Sequence, residues 1–198
     1  HIIAIGGAVM HQLAIALQQA GHIVSCSDDE IFNPAKDNLK KYILLPQNIG
    51  FLPENISPDI DLIISGMHAK ANNPELHKAK ELGIKILSLP EFIYEHSKNK
   101  LRIVIGGSHG KTTVTGMIMH VCNNLKMSFD YIVGSKVNGF EYNVKLSNDA
   151  PFIIIEGDEY LASAELLISK FLIYKPNIGI INGIDWDHAN VFPTLDIY

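Results

Sequence analysis

Three short stretches hold residues that can do chemistry together. They are Gly106-Gly107-Ser108-His109-Gly110-Lys111-Thr112-Thr113, Glu156-Gly157-Asp158-Glu159-Tyr160 and Asp187-His188. The first has the residue types of a phosphate cradle. A triphosphate carries dense negative charge, and backbone N–H groups of a tight loop at a helix start can surround it. Gly106, Gly107 and Gly110 let the backbone approach without a Cβ in the way. Lys111 can reach the outer phosphates, and the Thr112 hydroxyl can sit on Mg²⁺. The general GxxxxGK[ST] pattern asks for glycine where Ile105 stands. The alternative reading is a flexible turn before a helix. The apolar run 101–105 before the loop and the helical pattern after it weigh against that alternative.

The other two stretches follow apolar strands. Residues 152–155 end at Glu156, and residues 178–181 lead to Asn182, Asp187 and His188. Ligands of open α/β sheets collect outside the carboxyl ends of strands. Glu156 would then share an edge with Thr112 and serve as a Mg²⁺ ligand, because hard cations take oxygen donors. Asp158 and Glu159 are open to a plainer role as caps of a following helix. His188 is a candidate for a second metal or a phosphate oxygen, against the ordinary reading of a loop histidine.

A further glycine pair, Gly6-Gly7, lies between an apolar run at 1–5 and a helical pattern carried by Met10, Leu13, Ala14 and Leu17. Asp28 ends the next apolar run, where a dinucleotide fold places its ribose-binding carboxylate. The GxGxxG fingerprint is not met, since Ala4 and Val9 stand at glycine positions. An NAD(P)-binding oxidoreductase is therefore an alternative of another class, resting on this loop alone.

The elements that must position these residues alternate. Helices are expected at 34–42, 73–82 and 90–96, and strands at 22–26, 60–64, 84–87, 131–133, 152–155 and 178–181. Strands alternating with helices predict an α/β fold with parallel sheets. The polar stretch Ser97-Lys98-Asn99-Lys100 marks the boundary, giving domains 1–97 and 98–198. Few strands follow Lys100, so the second domain is expected to be only a part.

The 198 residues are 47% hydrophobic and carry a formal charge of −5, and the lack of a basic excess argues against general nucleic-acid binding. No apolar stretch is long enough to span a bilayer, and the first residues lack a signal-peptide pattern. The two cysteines, Cys26 and Cys122, have no CxxC partner. A reducing cytoplasm is the expected location.

In this order, the three stretches resemble the Mur ligase family, the ATP-dependent amide-forming enzymes of peptidoglycan synthesis. Gly107-Ser108-His109-Gly110-Lys111-Thr112-Thr113 is similar to that family's G-T-x-G-K-T-T, with Ser108 in place of threonine. Glu156-Gly157-Asp158-Glu159 is similar to its E-A-D-E, with glycine for alanine, and Asp187-His188 to its D-H. Residues 1–10, Ser27-Asp28 and Asn73-Pro74 are similar to the UDP-sugar-binding domain of members acting on UDP-N-acetylmuramate.

The resemblance implies a Rossmann-like first domain followed by part of a P-loop ATPase-like central domain, with the remainder and a third domain lying beyond this chain. It implies a bacterial cytoplasmic enzyme with ATP and Mg²⁺ as cofactors. Gly107, Ser108, His109, Gly110, Lys111, Thr112 and Thr113 would hold ATP. Thr112, Glu156 and His188 would hold metal, and Lys111, Glu156 and His188 would be catalytic. Gly6, Gly7, Ala8, Val9, Met10, Asp28, His68 and Asn73 would bind the UDP-sugar.

The resemblance further implies that the UDP-N-acetylmuramate carboxylate attacks the γ-phosphorus, and an amine then displaces phosphate from the acyl phosphate. Two amines fit: L-alanine, or the recycled tripeptide L-Ala-γ-D-Glu-meso-diaminopimelate. Ser169-Lys170-Phe171, Tyr174, Pro176 and Asp187-His188-Ala189-Asn190-Val191-Phe192 are similar to the tripeptide version of that segment. A nucleotide-binding regulator without ligase chemistry is the remaining alternative.

Overall fold

The computed structural model describes residues 1–158, 168–186 and 194. They form two compact units, the first running from His1 to Phe92 and the second starting at Ile93.

In the first unit, β1 (Ile2–Ile3), β2 (Cys26–Ser27), β3 (Leu62–Ser65) and β4 (Lys85–Ser88) form a parallel sheet in the order β2-β1-β3-β4. The crossovers are α1 (Met10–Gln19), α2 (Ala35–Lys41) and α3 (Pro74–Glu81). This is the parallel sheet expected from the alternating pattern, in the Rossmann-like arrangement that the resemblance implies. The strand expected at 22–26 is shorter, because the ladder with β1 starts at Ile2↔Cys26 and the chain before it, including the exposed Ile23, lies outside the sheet. The start of α3 follows its sequence signal. The Asn73 side-chain Oδ1 accepts the N–H groups of Glu75 at 2.9 Å and Leu76 at 3.2 Å, and Pro74 occupies the position whose N–H would be orphaned anyway.

A polar hub holds this unit. Glu75 has no exposed surface, yet its carboxylate is fully engaged. It accepts from the Ser27 hydroxyl at 2.5 Å, the Leu52 N–H at 3.1 Å and the Asn55 amide at 2.7 Å, with the His1 ring 3.6 Å away. One side chain thus ties β2, the 52–55 turn and α3 together.

The second unit opens with α4 (Leu89–Ser97), whose last residues belong to it, and β5 (Leu101–Gly106). It continues with α5 (Lys111–Asn124), β6 (Asp130–Ile132), β7 (Val144–Lys145), β8 (Phe152–Glu156), α6 (Lys170–Ile173) and β9 (Ile178–Ile181). The sheet order is β7-β6-β8-β5-β9. All pairs are parallel except β6 with β7. The short β7 has no periodic signal of its own, and it makes this sheet mixed where a parallel one was expected. Ile105, Met119, Tyr131, Phe152 and Ile154 fill the core between sheet and α5.

Three buried charged side chains fix the amino-terminal edge of this sheet. Asp130, with no exposed surface, accepts from the Lys100 ammonium at 2.5 Å and the Ser147 hydroxyl at 2.8 Å, and the His96 ring stands 3.6 Å off. Lys100 also donates to the Ser147 carbonyl. Arg102 spends its guanidinium on carbonyls. It donates to Ser97 at 2.8 Å, Lys98 at 3.2 Å and Lys100 at 3.2 Å, and to Tyr174 at 2.9 Å and Lys175 at 3.1 Å. A cation at the ends of α4 and α6 satisfies orphan carbonyls and suits the helix dipole.

For Glu75 and Asp130 alike, burial pushes the carboxyl pKa up, but the hydrogen bonds to the carboxylate outweigh it and hold the group below its ordinary value. A depressed folded pKa means stability that is complete at neutral pH and lost as pH falls through the carboxylate range. The urea midpoint should therefore drop steeply below about pH 5. Asp130→Asn should cost about 3 kcal/mol at neutral pH, since it strands the Lys100 charge, and should flatten the acid limb of the titration.

Candidate nucleotide-binding site

The register of the second sheet brings three carboxyl ends to one edge. Ile105 pairs with Glu156, and Gly106 pairs with Ile181, the residue before Asn182. The chain then turns into α5, whose first residues are Lys111 and Thr112. The Thr112 hydroxyl donates to Glu156 Oε1 at 2.7 Å, and the Gly134 N–H donates to Oε2 at 2.8 Å. The structure thus joins two sequence-predicted residues that are 44 positions apart. An open groove of about 570 Å³ runs from Thr112 and Thr113 along α5 to His120, with residues 136–138 on its other side.

The loop itself is tightly built. Gly107 and Gly110 have φ of 115° and 76°, the left-handed region that favours glycine. The Ser108 side chain is buried and its hydroxyl accepts the Asp185 N–H at 3.1 Å, which gives the serine at this position a defined partner. The Lys111 ammonium lies over the loop and donates to the Gly107 carbonyl at 2.6 Å. His109 is exposed and contributes its carbonyl, which accepts the Asn182 amide at 2.7 Å. Thr113 is exposed on the first turn of α5. Asn182, seen in the sequence only as a strand-end residue, is the partner that reasoning from motifs passed over. Its signal is positional, one residue beyond a strand that pairs with the loop's own strand.

Gly157 stands where the family pattern has alanine, and packing explains it. A Cβ there would lie 2.7 Å from Val104 Cγ1 and 3.0 Å from the Phe171 ring. The same ring would meet a Cβ on Gly106 at 2.8 Å and one on Gly179 at 3.2 Å. Glycines on three neighbouring strands therefore form a bed for Phe171. Ser169 stands at the cap position of α6; the Asp158 backbone carbonyl accepts the Phe171 N–H at 3.1 Å, and its carboxylate pairs with Lys170 at 2.8 Å. Glu159, Tyr160, Asp187 and His188 lie outside the described residues, so the proposed third metal ligand has no geometry here.

The first unit has its own glycine loop. Asp28 is buried, and its Oδ2 accepts the Gly6 N–H at 2.6 Å while Oδ1 accepts that of Asp29 at 2.9 Å. Burial raises its pKa, and those N–H bonds act against the rise. Its carboxylate thus organises the loop from within. Ala4 adopts φ 63°, a glycine-like conformation carried by an alanine. Gly7 and Val9 line the turn, Ala8 is exposed, and Met10 turns its side chain into the core, leaving its backbone to face the loop. His11 is buried. Because the Gly7 carbonyl can only accept, Nδ1 donates to it at 2.8 Å, and Nε2 accepts from Gln12 at 3.1 Å and Asn38 at 3.2 Å. Burial lowers its pKa, so it stays neutral as a brace between loop and α2. His68 is exposed, and Asn73 is buried as the α3 cap.

Comparison with known proteins matches two domain models along the chain: Mur ligase family, catalytic domain, over residues 1–101, and Mur ligase middle domain over residues 105–198. A Haemophilus influenzae protein named UDP-N-acetylmuramate–L-alanyl-γ-D-glutamyl-meso-2,6-diaminoheptandioate ligase is 31% identical over 98% of this chain and 43% of its own length. A Clostridium kluyveri UDP-N-acetylmuramate–L-alanine ligase is 36% identical over 99% of this chain and 41% of its own. Among solved structures, the UDP-N-acetylmuramate:L-alanyl-γ-D-glutamyl-meso-diaminopimelate ligase from Neisseria meningitides superposes with a TM-score of 0.87 at 27% identity, covering 99% of this chain and 63% of that one. The chain thus spans less than half the length of the curated relatives it matches.

Removing a methyl group in one loop and adding one in the other should have effects of opposite sign. Ala4→Gly should stabilise the protein by about 1 kcal/mol, by relieving a left-handed alanine. Gly157→Ala should destabilise it by about 1–3 kcal/mol, through crowding of Val104 and Phe171. Urea denaturation of the two variants beside the parent checks both signs.

Proposed function

We infer function from one premise: the chain belongs to the Mur ligase family. We propose an ATP-dependent carboxylate–amine ligase that joins UDP-N-acetylmuramate to the tripeptide L-Ala-γ-D-Glu-meso-diaminopimelate. The observation that carries the ATP half is the meeting of the Thr112 hydroxyl and the Glu156 carboxylate at 2.7 Å beside the glycine loop. Oxygen donors at the mouth of an anion cradle suit Mg²⁺. Thr112 and Glu156 would hold it, with His188 as the further ligand proposed from sequence, and the cation would neutralise phosphate charge.

The chain's own residues explain the rest. A carboxylate approaching a triphosphate meets like charge, and Lys111 at the loop offsets it. The loop N–H groups orient the phosphates so that a carboxylate oxygen can bond to the γ-phosphorus as the bond to the bridging oxygen breaks. The amine then attacks the acyl carbon, phosphate leaves with the bonding electrons, and the amine nitrogen gives up a proton. The Gly6-Gly7 turn and the start of α1 would take the diphosphate of the UDP-sugar. Ala8, Val9, Asp28, His68 and Asn73 would stand around it, with Asp28 acting through the loop it organises.

The tripeptide is favoured by the resemblance of residues 187–192 and by the name of the structural neighbour at TM-score 0.87. L-Alanine is the second reading, favoured by the 36% identity to an enzyme of that name. Family membership leaves the dinucleotide reading of the first loop without support.

The test is phosphate release by the full-length protein with ATP, Mg²⁺ and UDP-N-acetylmuramate, adding tripeptide or L-alanine. Release with the tripeptide alone is expected. Release with L-alanine alone would keep the ligase and overturn the amine, and silence with both would overturn the ligase reading. Glu156→Gln and Lys111→Ala should each lower kcat by about 10²–10³.

A further inference from the structure

We propose that Asn182 is the positioning residue of the phosphate loop, holding its backbone N–H groups in the anion-binding arrangement. This inference rests on reading that loop as the ATP cradle. Four observations converge on this one residue. Its side-chain amide donates to the His109 carbonyl at 2.7 Å, at the crown of the loop. Its backbone N–H donates to the Gly106 carbonyl at 2.8 Å, at the loop's root. Its backbone fills the space where a Gly107 Cβ would go, with the carbonyl oxygen 2.6 Å and the nitrogen 2.8 Å from that point. Its side-chain nitrogen occupies the space of a Gly110 Cβ.

The two left-handed glycines and Asn182 are thus one device. A left-handed residue turns its N–H and C=O differently from its neighbours, and alternation of that kind makes a concave row of N–H donors. Such a row repels itself, since partial positive charges point the same way. The loop must therefore be held from behind. The His109 carbonyl is held by the Asn182 amide, and the Gly107 carbonyl by the Lys111 ammonium. The neighbouring chain adds to the grip, with the Ser108 N–H donating to the Gly183 carbonyl at 3.3 Å.

The side chain and the backbone of Asn182 can be separated by substitution. Asn182→Asp keeps the shape beneath Gly107 and Gly110, but sets a carboxylate oxygen against the His109 carbonyl and a negative charge under an anion site. Asn182→Ala keeps the backbone contacts and removes the amide. If Asn182 acts only through packing, the aspartate variant behaves as the parent does.

Using the full-length protein, binding of a non-hydrolysable ATP analogue is measured by calorimetry, thermal unfolding is followed alongside, and steady-state kinetics give KM for ATP and for the nucleotide sugar. Asn182→Ala should weaken the analogue about tenfold, the loss of one hydrogen bond at a charged site, and Asn182→Asp more than that. KM for ATP should rise in step while KM for the nucleotide sugar holds, and Tm should stay close to the parent. Unchanged analogue binding by the aspartate variant overturns the proposal. A large fall in Tm for both variants overturns it too, by making Asn182 a fold residue. No analogue binding by the parent removes the ATP reading itself, and the proposal with it, an outcome distinct from the other two.

Discussion

Parallel pairing of β5 with β8 on one side and β9 on the other constrains everything at the phosphate loop. Parallel strands deliver their carboxyl ends to one edge, and the register decides which residues arrive there together. Here the register sets Glu156 opposite Ile105 and Ile181 opposite Gly106, so Glu156, the glycine loop and Asn182 emerge at one edge. A shift of one residue in β8 would turn Glu156 to the other face of the sheet and bring its neighbour in. That register is held by the buried run Ile153-Ile154-Ile155 against Val104 and Ile105, all without exposed surface. The chemistry of the loop is therefore specified by apolar contacts that carry no chemistry themselves.

The opposite edge of the same sheet shows how polar groups serve the same end. Asp130 with Lys100, and Arg102 with its carbonyls, sit where β5 and β6 begin. Buried charges of this kind contribute little net stability relative to apolar residues of like size, but each is costly to unpair. Their effect is on where the strands start. Arg102 spans the carboxyl ends of α4 and α6, so β5 has little freedom to slide. Glu75 does the corresponding work in the first unit, joining β2 and α3 through side-chain partners rather than through a sheet ladder.

The sequence made the glycine loop, Glu156 and the α3 cap legible, because each depends on local chemistry. Gly-Lys-Thr-Thr before a helix and Asn-Pro before a helix are patterns whose meaning lies within a few residues. The unit-two sheet order was not legible, since β7 is two residues long and pairs by a long-range antiparallel contact. Asp28 shows a subtler limit. Its position at a strand end singled it out as a ligand contact, but only the structure shows that its carboxylate accepts the Gly6 N–H. Asn182 was visible as a strand-end residue, and nothing local says that two glycines more than 70 positions earlier pack on it.

Glycine carries the same lesson across the second unit. Gly106, Gly157 and Gly179 are not there for backbone freedom; they make room for the Phe171 ring. Tyr174, three residues on, is buried, and burial drives its hydroxyl pKa upward. Phe171 and Tyr174 therefore report how the segment after Glu156 packs onto the sheet. What these residues do for the reaction is indirect. They press α6 against the strands that carry Gly106 and Gly157, next to the glycine loop and to Glu156. Discrimination between amines must then come from groups that reach the acyl carbon, and a packed aromatic ring under the sheet edge is not one of them.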